Sequence, residues 1–370
     1  MISRLPNSIT GSDSSLRNAL RNRVLIADGA MGTMIQNSPI ALEDFQGHEG
    51  CNEILNLTRP EIIASIHRAY FEAGVDAVET NTFGANYANL ADYGIEDKIY
   101  ELSYAGAKIA YQVAQEFSTA EKPKFVLGSM GPGTKLPTLG AISFAQLQNA
   151  YEQSAAGLIA GGVDAILIET SQDLLQTKAA VIAARNERAK ACKDIVIMVQ
   201  VTVETTGTML LGSDISAALN VLEPLGIDLI GMNCATGPQE MSEHLRYLSK
   251  HSKIGISVMP NAGLPILENG AARYPLTPNE LADYLTEFVN KYQINFIGGC
   301  CGTTPNHLAE VVKKLANQPN MKREYNSEKG ISSIYSLTNY DQENAFLAIG
   351  ERANANGSKA FREALLSENW

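Results

Sequence analysis

Cys300 and Cys301 stand side by side in the segment NFIGGCCGTTP (Asn295 to Pro305), behind two glycines and ahead of two threonines, in a chain with only five cysteines. A disulfide between such neighbours needs a strained peptide, because bridged cysteines normally hold their Cα atoms farther apart than adjacent residues do. Burial as small apolar side chains is one alternative. Joint ligation of a soft metal is another, and it needs a third thiolate. Cys234, in the segment GMNCATG, is the candidate.

Three thiolates would select zinc in tetrahedral geometry, and a fourth position left open marks a catalytic rather than a structural ion. Such a centre carries net negative charge. It is a weak Lewis acid for making hydroxide but suits an incoming thiol, whose proton is lost on coordination. Alkyl transfer to sulfur is the reaction class that fits. The spacing is not that of a ribbon or finger, so buried or redox-active thiols remain the competing reading. Cys51 and Cys192 read as bystanders, and the five histidines show no paired spacing with cysteine.

The elements that must bring these cysteines together are short β-branched runs, each followed by a turn and a helical stretch. The runs are Val24–Ala27, Val75–Glu79, Phe125–Gly128, Val163–Ile168, Ile195–Val201, Asp228–Met232, Ile254–Val258 and Ile294–Gly298. They are continuous rather than alternating, as strands buried on both faces are. Between them lie amphipathic stretches such as PEIIASIHRAYFEAGV and TPNELADYLTEFVNKYQ, with Pro and Glu in the first turn. Eight such units predict an α/β (β/α)8 TIM barrel. The rival, a doubly wound open sheet, lacks support because ADGAMGTM after the first run is not a phosphate-binding glycine fingerprint.

A barrel places chemistry at the C-terminal ends of its strands. The polar residues there are Asp28; Glu79, Thr80, Asn81 and Thr82; Ser129; Glu169 and Thr170; Asn233 and Cys234; Asn261; and Cys300 with Cys301. The third sulfur thus falls on the same rim as the pair. Asp28 before glycine is also an ordinary turn residue, and Thr82 and Ser129 fit turns equally well. Glu169 ends a strongly apolar run, where an uncompensated carboxylate is costly, so it calls for a cationic partner.

Bulk properties narrow the class. The 370 residues are 45% hydrophobic and 19% charged, which is globular composition. Net charge is −11 with no basic stripe, so nucleic acid is not an expected partner. No apolar run approaches the roughly 20 residues that span a bilayer, and the N-terminus lacks a secretory pattern. An odd cysteine count argues for a reducing, cytoplasmic setting.

The blocks LIADGAMGTMIQ, ETNTFGAN, GSMGPGTKLPTLG, LIETSQDLLQTKAA, GMNCATGPQEM and IGGCCGTTPNHL together resemble the homocysteine S-methyltransferase family, from about residue 20 to about 318. The resemblance implies zinc held by Cys234, Cys300 and Cys301 and activating L-homocysteine. It also implies that backbone amides of Gly29, Ala30, Met31 and Gly32 receive the substrate carboxylate, with Asp28 and Glu169 near its ammonium and Thr82 and Ser129 in the same site. Asn233 would lie beside the metal and move as the thiol arrives.

Beyond about Pro319 the composition turns polar and reads as a linker followed by a strand. FLAIGERANANGSKAFREALLSENW then resembles the opening of the pterin-binding (methyltetrahydrofolate) domain of the cobalamin-dependent, methionine synthase branch, with Ala353 where that domain usually has Thr. The expected domains are residues 1–319, a homocysteine-binding zinc barrel; 320–344, a linker; and 345–370, the truncated start of a second βα barrel. On this reading the chain is the front piece of a longer enzyme or a naturally clipped relative. Its methyl donor is methylcobalamin carried by a domain absent here, and methyltetrahydrofolate binds only where the pterin-binding domain is complete. Betaine or S-methylmethionine as donor is the alternative, and a thiol-metal sensor or scaffold is the non-enzymatic one.

Overall fold

The computed structural model describes residues 15–268, 271–341 and 354–369. Every sequence window above overlaps a strand: β1 Leu25–Ile26, β2 Ala77–Glu79, β3 Phe125–Met130, β4 Ala165–Ser171, β5 Val196–Val201, β6 Leu229–Asn233, β7 Gly255–Met259 and β8 Phe296–Ile297; β3, β4, β6 and β7 run on by one to three residues at their C-terminal ends. A helix follows each: α1 Pro60–Glu72, α2 Ile99–Phe117, α3 Phe144–Gly161, α4 Leu174–Ala191, α5 Ile215–Leu222, α6 Pro238–His251, α7 Pro278–Tyr292 and α8 Pro305–Leu315. The helix starts carry their own signals. Ser143 caps α3 in a capping box with Gln146, Thr277 caps α7 with Glu280, and Pro278 takes the first position of α7.

The strands are all parallel, in the order β1-β8-β7-β6-β5-β4-β3-β2, and the Ala27–Ala77 bridge joins the two ends. The sheet is therefore a barrel, and the open-sheet alternative falls. The seam is thin in backbone pairing and is reinforced by two aspartates. Asp76 accepts from the Ile26 amide at 3.0 Å and pairs with Arg23 at 2.8 Å. Asp28 accepts from the Glu79 amide with both oxygens, at 3.1 and 3.0 Å.

Strand parity sorts the side chains. One apolar cluster, between sheet and helices, holds Val78, Val126, Ile166, Ile168 and Ile197. A second fills the barrel interior with Leu25, Ala27, Ala77, Leu127, Leu167, Met198 and Phe296. Two residues further along the same inward rows come Glu79, Ser129, Glu169 and Gln200. The core thus turns from apolar to polar as it rises towards the C-terminal rim. Leu16, from the helix Ser15–Asn22, joins the interior cluster at the other end, and its neighbour Arg17 pairs with Asp194 and Asp228.

The stretch expected to be a linker is bound to the barrel side. Arg23 and Pro319 form an antiparallel bridge, and Asn326 donates to the Lys250 carbonyl at 2.8 Å. A hairpin of Gly330–Ser332 with Leu337–Asn339 then lies along α5, where Asn220 donates to Ser332 Oγ at 2.8 Å and Asp214 N to the Tyr335 carbonyl at 2.8 Å. The strap is held by backbone and side-chain hydrogen bonds rather than by an apolar face, which fits its polar composition. The helix Lys359–Leu366, capped by Ser358, matches the helical part of the tail. Its expected preceding strand and the Gly350–Ala353 segment lie outside the described residues.

Arg323 anchors the strap. Its guanidinium donates to the carbonyls of Ser249 and Ser252, at 2.8 and 2.6 Å, where α6 ends and its last carbonyls lack helical partners. Arg323→Met keeps most of the apolar stem and removes these bonds. It is expected to destabilise the fold by about 2–3 kcal/mol and to open residues 320–341 to protease, measured by denaturant unfolding and limited proteolysis with mass analysis.

Candidate active site

A cavity of about 360 Å³ opens at the C-terminal ends of the strands. Its wall includes Gly29, Ala30, Met31 and Gly32 from the loop after β1, Glu79 from β2, Ser129 from β3, and Glu169 from β4. Asn233 with Cys234 from β6, and Cys300 with Cys301 after β8, complete the opposite side.

The three sulfurs converge. All lie within 4.8 Å of one another, and Cys234 Sγ is 3.7 Å from Cys301 Sγ. Thiolates bound tetrahedrally at about 2.3 Å sit about 3.8 Å apart, so the donor set fits a soft tetrahedral cation with little movement. Among the described residues it is the sole such group. Hydrogen bonds with Cys234 and Cys300 hold the Cys301 thiol down to about 3. Hydrogen bonds with Cys234 and Cys301, and burial, push Cys300 well above the usual thiol range. Cys51 and Cys192 stay outside the cluster: Cys51 is buried and donates to Glu53 at 3.6 Å, while Cys192 is exposed where α4 ends.

The β7 end aligns both cysteine segments. Cys300 N donates to the Pro260 carbonyl at 2.8 Å, Cys301 N to Asn261 Oδ1 at 3.0 Å, and Cys234 N to the Met259 carbonyl at 3.3 Å. Cys234 and Ala235 both take left-handed backbone, with φ of 59° and 55°. Such conformations cost energy in non-glycine residues and persist where the surroundings enforce them. Gly29 meets a tighter limit, because a Cβ there would lie 2.2 Å from Thr303 Oγ1.

Asn233 is clamped. It accepts from Thr170 N at 2.8 Å and donates to Glu169 Oε2 at 3.1 Å, with Cys300 Sγ 3.9 Å away. A break in strand register between Ile168 and Ser171 sets this end of β4, and Thr170 has φ of 53°. Glu169 also accepts from Ser129 Oγ. Burial pushes Glu169 up to about 7 against these two bonds, and negative charge at Cys301 adds to the rise.

Two sequence candidates stand behind the wall rather than on it. Asp28 is fully buried and bonded to the Glu79 amide, so it fixes the seam. Thr82 donates to the Ser129 carbonyl at 2.7 Å and so ties the ends of β2 and β3. In the glycine loop, the Ala30 amide already donates to the Thr303 carbonyl at 3.1 Å. Sequence reasoning left Glu79 and Asn261 without roles. Counting two residues on from Ala77 finds the first, and the place of β7 between β6 and β8 finds the second. Among the described residues no lysine, arginine or histidine lines the cavity, so none of them supplies the cationic partner that Glu169 calls for.

The family model described as Homocysteine S-methyltransferase matches residues 25–315. Methionine synthase of Mycobacterium tuberculosis is 55% identical over 358 residues, covering 97% of this chain and 30% of that protein. Methionine synthase of Mycobacterium leprae is 54% identical over 363 residues, with the same coverage of 97% and 30%. The chain thus spans about 30% of the length of the curated relatives it matches. Among solved structures, the metallated form of the homocysteine methyltransferase MmuM from Escherichia coli aligns with TM-score 0.65 at 21% identity, covering 81% of this chain and 99% of that one. That likeness is one of fold.

Two expectations follow from the geometry. Replacing any one of Cys234, Cys300 and Cys301 by serine should abolish stoichiometric binding of a thiophilic divalent ion, read by metal analysis after dialysis. Asn261→Ala, which frees the Cys301 amide but leaves every sulfur, should weaken the ion by about 10- to 100-fold in a chelator competition while circular dichroism stays unchanged.

Proposed function

The chain belongs to the homocysteine S-methyltransferase family, and from that premise we propose that it binds zinc and L-homocysteine and methylates the homocysteine sulfur to give methionine, the methyl group arriving on methylcobalamin. The observation that carries the reading is the convergence of three thiols at tetrahedral spacing on a cavity whose wall, among the described residues, has acids and no cation. Such a wall suits an amino acid that brings its own ammonium.

Bound zinc would supply a positive centre at which a substrate thiol is held as thiolate near neutral pH. The chain's own residues do the rest. Cys234, Cys300 and Cys301 would hold the ion. Asn233, tied to Glu169 and Thr170, stands beside the Cys300 sulfur and bounds the space that the substrate chain occupies. The loop of Gly29, Ala30, Met31 and Gly32 closes the side reserved for the carboxylate, and Ser129 keeps Glu169 turned to the wall. A cytoplasmic, reducing setting would keep all three thiols free.

Methylcobalamin as donor is supported by the likeness to the two methionine synthases, which extends over 97% of the chain. We take residues 1–319 as the homocysteine-binding barrel, 320–344 as the connection, and 345–370 as the opening of a pterin-binding domain. Further domains would carry the cobalamin and complete the methyltetrahydrofolate site.

The test is methionine formation by the zinc-loaded chain. Free methylcobalamin should support slow turnover that rises with donor concentration up to about the millimolar level a tether would provide. Methyltetrahydrofolate without cobalamin should give none. Turnover from betaine or S-methylmethionine but not from methylcobalamin would move the donor assignment. No product with any donor would overturn the reading.

A further inference from the structure

Each sulfur of the triad has a hydrogen-bond donor of its own. The Ala235 amide donates to Cys234, and Asn233 Nδ2 donates to Cys300 Sγ at 3.9 Å. These two donors flank Cys234 in the chain. The donor to Cys301 is the Tyr274 hydroxyl, which comes from the loop after β7. Tyr274 is half-buried and is no part of the cavity wall, so it meets Cys301 outside the space left for a substrate.

The loop is built to hold it there. After the hairpin of Ile266–Glu268 with Ala271–Arg273 the chain returns across Gly302, where a Cβ would lie 2.2 Å from Tyr274 Cγ. Glycine at 302 therefore lets the ring lie against the turn that carries Cys301. Leu276 N donates to the Ala262 carbonyl at 2.9 Å, and Ala262 N to the Cys301 carbonyl at 2.9 Å. His307 Nδ1 accepts from Thr304 N at 3.2 Å, which leaves Nε2 to donate to the Leu276 carbonyl at 3.0 Å. These bonds tie the residues that follow Tyr274 to the Cys301 turn.

Thiolates that share one metal ion compete for the same electrophile. A methyl group that joined Cys301 would take a sulfur electron pair for the new C–S bond, leave behind the pair that bound it to its donor, and cost the site a ligand. A phenol is protonated at neutral pH and donates to a thiolate, and a donor on the sulfur ties up the electron density that attacks carbon. We propose that Tyr274 is a positioning residue that caps the Cys301 sulfur, keeping it a metal ligand and a poor methyl acceptor, so that alkylation falls on the thiol that arrives without a donor. The role rests on the metal and methyl-transfer reading above.

The experiment is alkylation of the zinc-loaded protein by iodoacetamide, with each cysteine followed by peptide mass analysis. Sulfur displaces iodide in this reaction, so it reads nucleophilicity with no methyl donor present. Tyr274→Phe keeps the ring on Gly302 and removes the hydroxyl. It should raise the Cys301 rate about 10-fold, the range of one hydrogen bond to a charged group, with Cys234 and Cys300 within about twofold of wild type. Replacing Tyr274 by 4-aminophenylalanine, which returns an N–H donor to the same place, should restore the slow rate. With cobalt in place of zinc, the sulfur-to-metal charge-transfer band should move to longer wavelength in Tyr274→Phe, a change that lost packing does not produce. An unchanged Cys301 rate, an equal rise at all three cysteines, or loss of the ion from Tyr274→Phe would overturn the capping role and leave the metal reading in place. A wild-type protein that binds no zinc through its three cysteines would overturn both.

Discussion

Three thiols and four carboxyls, those of Asp28, Glu53, Glu79 and Glu169, share one end of the barrel, and among the described residues no protein cation stands on the cavity wall. Unit charges 4 Å apart repel by about 4 kcal/mol at an effective dielectric of 20, so these groups cannot all ionise while the cavity is dry of cations. Their protons are shared unequally in consequence. Cys301 is held low, Cys300 high, and Asp28 and Glu79 well above the ordinary carboxylate range because burial and their acidic neighbours disfavour charge. A folded chain tolerates such a cluster only if the surrounding structure over-determines it. The same cluster then favours positive visitors, a metal ion on the sulfur side and an ammonium on the carboxyl side.

The barrel meets that demand through parity. On each of β2, β3 and β4 the inward row starts with apolar residues that close the interior and ends, two positions on, with a polar residue at the rim. Ala77 leads to Glu79, Leu127 to Ser129, and Leu167 to Glu169. The apolar layers below exclude water and hold the strands in register, so the rim groups cannot escape their mutual repulsion by sinking or splaying. Where the sheet is weakest, at the single bridge between β1 and β2, the carboxylates of Asp28 and Asp76 replace missing backbone pairing.

The eight strands and the three cysteines were legible because they depend on pattern: continuous β-branched runs, glycine-bounded turns, and sulfur at strand ends. What escaped depends on who bonds to whom. Nothing in the sequence distinguishes Asp28 with both oxygens engaged from Glu79 with one oxygen open, since both are acids at strand ends. Thr82 and Ser129 looked alike as turn residues, yet Thr82 spans two strands while Ser129 faces the cavity and donates to Glu169. The hold of the strap over α5 and α6 is of the same kind. Its hold comes from Arg323 on carbonyls and from hairpin hydrogen bonds, which leave no hydrophobic period to read.

The position of the sulfur ligands has its own logic. β6 and β8 are not hydrogen-bonded to each other; β7 lies between them. Cys234 and the Cys300–Cys301 pair can meet only across the end of β7, and that end supplies the contacts that set their separation. The Met259 carbonyl fixes Cys234, the Pro260 carbonyl fixes Cys300, and Asn261 fixes Cys301. The Ala262 amide returns a bond to the Cys301 carbonyl at 2.9 Å. Four consecutive residues of one strand end therefore hold ligands drawn from both neighbours, which is how residues 67 positions apart in sequence come to 3.7 Å in space. Vicinal cysteines suit this arrangement. One β7 end can align two successive amides of the same turn, whereas two separate ligands would need a second strand end to do the same work.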